Sequence, residues 1–105
     1  MADAIVLLAP WSDPRGGDEA ERELRREVSA GHLLSGRPVR AIARRHDRDD
    51  VLFEAADTGE CFVVHLTWSS RAERPPLPAT HAYASVSSWA ATRMLDDHAD
   101  FENGG

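Results

Sequence analysis

His65 stands in the stretch Val64-His65-Leu66-Thr67-Trp68, an imidazole among apolar neighbours, and a histidine so placed is a candidate general base. A base alone defines no reaction, because it needs a nucleophile or an acidic proton within hydrogen-bond reach. Cys61 lies four residues earlier, and on one strand that separation is roughly 13 Å, too far for a dyad. Clustered oxygens could instead attract a divalent cation at Asp47, Asp49 and Asp50, or at Asp96, Asp97, His98 and Asp100. Neither cluster has the ligand register of a calcium loop, and histidines 32, 46, 65, 81 and 98 are scattered. The expectation is no metal, no cofactor and no catalytic constellation.

Charge offers a second chemistry. Residues 37–48 hold Arg37, Arg40, Arg44, Arg45 and Arg48 against Asp47, five minus one, in a chain of net charge -6. The remainder therefore carries about -10 (-6 minus +4). Arginine forks suit carboxylate or phosphate, whereas the plainer reading is a solvated edge whose charges block aggregation. Arg40, Arg44, His46, His65, Thr67 and Trp68 are the candidate binding residues. A negative chain repels nucleic acid and anionic membranes at long range, so neither is an expected partner.

These side chains need a scaffold. With 105 residues there is room for one core, and a single cysteine rules out an intrachain disulfide. The run from Ala4 to Ala9 is too short to span a bilayer and follows Asp3 rather than a basic flank, which suggests a cytoplasmic protein. Residues 1–17 form an extension of uncertain conformation, and 18–102 a single domain. Asp18-Glu19-Ala20-Glu21 has capping-box form and predicts a helix to about Ala30, with Ala20, Leu24 and Val28 as its apolar stripe and Gly31 ending it.

Three runs at hairpin spacing follow, Val39 to His46, Val51 to Ala56 and Cys61 to Trp68, and predict an antiparallel meander. Alternation puts Phe62, Val64, Leu66 and Trp68 on one face of the third strand and Cys61, Val63, His65 and Thr67 on the other. On the first strand it groups Val39, Ala41 and Ala43 against Arg40, Ile42, Arg44 and His46. Ser69 to Thr80, with Pro75, Pro76 and Pro78, reads as a stiff strap outside the sheet. Its Arg71 to Pro78 stretch also has the form of an SH3 ligand. Ser85 or Ser87 can cap a last helix with Val86, Trp89, Ala90, Met94, His98 and Phe101 on one face, breaking near Leu95 because acidic residues crowd its end.

The expected fold is α+β, in the order α-β-β-β-α, with a single layer of helices on one sheet face. Double-stranded-RNA-binding domains share that order, but the start of the last helix, Ser85-Val86-Ser87-Ser88-Trp89, lacks their cations, leaving RNA binding a third reading. Gly31-His32, Arg37-Pro38-Val39, Asp49-Asp50-Val51-Leu52 and above all Val64-His65-Leu66-Thr67-Trp68 with its Pro-rich sequel resemble a group of small uncharacterised bacterial proteins across residues 31–101. The resemblance implies no activity and no site residue. The leading expectation is a non-enzymatic domain of accessory or immunity type, acting on a protein partner or on itself, since Trp11, Trp68, Trp89 and the arginines are residue types that interfaces favour. The alternative is a small enzyme or small-molecule binder with a pocket on the wetter sheet face around His65, Thr67 and Arg44.

Overall fold

The computed structural model describes residues 5–15 and 17–104. Its elements are β1 (Trp11–Ser12), α1 (Gly17–Glu27), β2 (Arg40–Arg45), β3 (Asp50–Glu54), β4 (Cys61–His65), β5 (Thr80–Tyr83) and a closing helix α2 over residues 86–102. Helix α2 is α-helical over Val86–Trp89, π-helical over Ala90–Met94 and α-helical again over Leu95–Glu102. The fold is α+β, with one helix before and one after an antiparallel meander of order β1-β2-β3-β4-β5.

The register pairs Phe53 with Phe62 and Val51 with Val64, so these four share a face, while Leu52 and Val63 share the reverse. All six are buried. The first face packs against Ala20 and Leu24 of α1 together with Leu34 and Leu66. The second packs against Trp89 and Met94 of α2 together with Trp11 and Cys61. The helices therefore cover opposite faces, which corrects the expected single layer. The physical reason lies in β3 and β4, whose residues are apolar on both sides and cannot leave either side wet. Truncating Phe53 or Phe62 to Ala would cost about 3–5 kcal/mol.

The meander is wider than three strands. Trp11 pairs with Arg45 and Ser12 with Arg44, so the segment expected to be an extension supplies an outer strand and a fully buried indole. At the other side Thr80–Tyr83 pairs with β4; its short, polar sequence carries little strand signal. In β2, Ala41 pairs with Phe53 but Ala43 with Leu52, so Ile42 is an extra residue at a bulge. Ala41 packs with the α1 cluster, whereas Ile42 and Ala43 pack with the α2 cluster. The expected grouping of Ala43 with Ala41 is thereby corrected, and Arg44 and Arg45 are sent to opposite faces.

Helix α1 ends at Glu27, three residues short of expectation, because the Glu27 carbonyl accepts from Glu73 N at 2.8 Å and the Ser29 hydroxyl donates to Glu73 O. Glu21 does not close a capping box; its carboxylate accepts from Ala41 N at 3.0 Å. The strap folds on itself through Leu77 N to Arg74 O, with Pro78 buried, rather than presenting a free proline helix. Ser85 caps α2 by accepting from Ser88 N. The break expected near Leu95 is absent: the π-helical turn carries the chain straight through, and the carboxylate of Asp97 is neutralised sideways instead of capping a new turn.

Candidate functional site

On the α2 face, β2, β3, β4 and α2 send charged side chains toward one end of the sheet. Asp97 accepts from Trp11 Nε1 at 2.9 Å and from Arg93 Nε at 2.9 Å, and its other oxygen lies 3.3 Å from Arg45 Nη1. Arg45 also grips Asp47 through two bonds of 2.9 Å, while Arg93 reaches Asp50 at 3.3 Å and the Tyr83 hydroxyl at 3.4 Å. Asp50 Oδ1 lies 2.7 Å from His65 Nδ1, so that nitrogen carries the proton against the carboxylate. Burial works against the charges of Arg45 and Arg93, yet Asp47 and Asp97 for the first, and Tyr83 and Asp97 for the second, more than offset it. Both guanidiniums are held above their ordinary range. The same contact with Arg45 holds Asp47 below the usual carboxylate range.

An aspartate-oriented imidazole can accept a proton at its second nitrogen. That nitrogen makes no hydrogen bond among the described residues, and the His65 side chain is 56% exposed. Cys61 offers no nucleophile: burial, then the Glu54 carboxylate, pushes its thiol up to about 12. Asp50 and Asp97, members of the two acidic clusters, are already engaged by arginines. Among the described residues no group of three or more His, Cys, Asp or Glu is placed to hold a metal.

Beyond Arg45 the surface opens into a cleft of about 790 Å³ lined by Ser12, Asp13, Arg15 and the run from Arg44 to Asp49. The β1–β2 pairing places Arg44 and Arg45 beside Ser12, and the β2–β3 turn contributes His46, Arg48 and Asp49. Arg45 is occupied by Asp47 and Asp97, but Arg15, Arg44 and Arg48 make no ion pair among the described residues. The Arg44 guanidinium lies over the Trp68 ring, 5.4 Å from its centroid. Such stacking fixes the plane of the fork while leaving its donors free. His46 packs edge-on against Phe101 of α2.

The candidate binding residues are thus only partly gathered. Arg44 and His46 line the cleft and Trp68 supports Arg44 from below. Arg40 is paired with Glu54, and Thr67 bonds Ser69 and Glu73. His65 shares the face of Asp50 and α2, whereas Arg44, paired with Val51, points to the α1 face. His65, Thr67 and Arg44 therefore do not converge, and both sheet faces over the core are covered. The bulge at Ile42, invisible in composition, sets this division.

Two buried glutamates of α1 lie outside the residues expected to matter. Glu23 and Glu27 sit three residues after Ala20 and Leu24, on the flank of the apolar stripe, and that spacing was the available signal. Both are almost fully buried, one turn apart on α1. Glu27 accepts from Thr67 N at 2.9 Å and Trp68 N at 2.8 Å; Glu23 accepts from Ser70 N at 2.9 Å and Arg26 Nη2 at 3.0 Å. Burial first, and the Glu23 contact second, push the Glu27 carboxyl up to about 7, while the contact with Glu27 holds Glu23 below the usual range. The clasped loop contains Trp68 at φ 56° and Ser70 at φ 61°, left-handed conformations that cost roughly 1–2 kcal/mol each for residues with a Cβ.

The chain matches no family model, no curated protein and no solved structure. Among the described residues no helix is long and apolar enough to cross a membrane.

Proposed function

We propose that this α+β domain is a non-enzymatic binding module whose arginine-lined cleft takes an acidic segment of a protein partner. The observation that carries the reading is the Arg44–Trp68 stack. Among the described residues Arg44 has no carboxylate of its own; it is oriented by an aromatic ring and stands beside Arg15 and Arg48 in a cleft large enough for a few side chains. Asp13 and Asp49 at the same cleft favour a ligand that threads between them over a diffuse polyanion. The net charge of -6 supports the same preference, since a long nucleic acid would be repelled by the rest of the surface.

Fluorescence anisotropy with a fluorescein-labelled peptide of aspartate and glutamate tests the proposal, with a lysine-serine peptide of equal length as control. Saturable binding of the acidic peptide, weakened by Arg44→Ala, supports it. Equal binding of both peptides, or none at low salt, defeats it.

A further inference from the structure

The buried carboxyls of Glu23 and Glu27, one turn apart on α1, lie beneath the loop that carries Trp68, and the ring of Trp68 in turn lies under Arg44. We propose that this carboxyl pair is a proton-operated latch on residues 67–70, regulating how firmly Arg44 is presented to the cleft. The inference rests on the reading of that cleft as a binding site.

The geometry supplies each link. Three backbone N–H groups of the loop, from Thr67, Trp68 and Ser70, end on the two carboxyls, and the Ser70 hydroxyl reaches Glu23 at 3.4 Å. Left-handed backbone at Trp68 and Ser70 points those donors inward, and the clasp offsets part of its strain. With one proton shared, the pair bears a single negative charge matched by Arg26 on α1. Without it, two carboxylates share a dry site with one guanidinium and with Glu73 nearby on the strap, and mutual repulsion drives them apart. The loop amides favour the charged carboxylate, but burial and the second carboxylate outweigh them; as the pair parts the loop donors lose their fixed acceptors, Trp68 loosens, and the Arg44 fork is no longer held in one plane. The charged groups facing the pair are Arg26 from α1 and Glu73 from the strap, with Arg44 of β2 beyond the indole.

Glu27 changes protonation near neutrality, with its carboxyl pushed up to about 7. Between pH 6 and pH 8 the latched fraction then falls from about nine-tenths to about one-tenth, and apparent affinity falls by up to about ten-fold if only the latched form binds.

The experiment measures acidic-peptide affinity at pH 6, 7 and 8 for the wild type and for Glu27→Gln, whose amide reproduces the protonated partner at every pH. In parallel, NMR follows the Thr67, Trp68 and Ser70 amides of the free wild-type protein across the same range. Weaker binding at pH 8 in the wild type, a flatter profile in the variant and loop amides that titrate together are expected. His46 also lines the cleft, but it is present in both proteins and cancels in the comparison. Identical pH profiles for the two proteins, or loop amides that stay fixed from pH 6 to 8, overturn the latch. Absence of peptide binding at every pH would overturn the cleft reading instead, and the amide titration alone would then decide whether the latch exists. Should Glu27→Gln fail to fold, the wild-type amides again decide it.

Discussion

Trp11 donates its indole N–H to Asp97 at 2.9 Å, joining the first strand to the last helix across 86 positions of sequence. Asp97 also faces the buried Arg45 and the half-buried Arg93, so one carboxylate bridges two guanidiniums and satisfies a buried donor.

Removing that carboxylate leaves the Trp11 indole without its acceptor and takes one partner from each guanidinium, which keep Asp47 in one case and Asp50 with Tyr83 in the other. Asp97→Ala is expected to destabilise the fold by about 3–5 kcal/mol, as for other broken buried ion pairs. Urea unfolding measures it; a loss no larger than that of an exposed control such as Asp96→Ala would mean that solvent replaces the network.

At the cleft, Arg44→Lys keeps the charge but loses the planar fork and its seat on Trp68. Acidic-peptide affinity should fall several-fold in Arg44→Lys, and about ten-fold in Arg44→Ala, corresponding to roughly 1.4 kcal/mol. Asp13→Asn should strengthen binding by lifting a repulsive charge from the rim. Titration calorimetry on the three variants checks the order, and a tighter Arg44→Ala would reverse the assignment.

Stability should decline as pH rises from about 5 to 8. The Glu27 carboxyl is raised from 4.5 to about 7 in the folded chain, so between those values the folded state binds more protons than the unfolded state. Its contribution is full below the unfolded value and is lost as pH climbs through the folded one. Glu23, Asp47, Glu60 and Glu73 are held low, so their contributions are present above their unfolded values and vanish as acid protonates them. A maximum near pH 5 to 6 is expected, with a shallower alkaline decline in Glu27→Gln. Denaturation midpoints that keep rising to pH 8 would contradict the shared proton.

Cys61 should be inert in the native protein, since it is buried and its thiol is pushed up to about 12. Ellman's reagent at pH 8 should label it only as fast as the chain unfolds. Prompt stoichiometric labelling under native conditions would place the thiol at the surface.

The meander from β2 to β4 was legible because apolar alternation and acidic turns mark it, and Val86, Trp89, Ala90 and Met94 meet one core cluster as their spacing implied. What escaped was decided by long-range pairing. Trp11 and Thr80 join the sheet only because partners remote in sequence accept them, and the Ile42 bulge shifts faces with no composition signal. Within the site, Arg44 beside Trp68 joins two of the six residues nominated for binding from the sequence. Glu23 and Glu27 escaped because glutamates on a helix usually face water, and the amides that draw them inward belong to a loop some 40 residues away.

The two borders of the sheet are unequal: β1 offers two residues and β5 four. A foreign strand laid along β1 would find too few rungs to hold, so accretion there is discouraged by brevity alone. Among the described residues β5 is the longer border, so a second copy laid against it would meet four rungs rather than two. An association of β5 with β5 is isologous and closes at a pair.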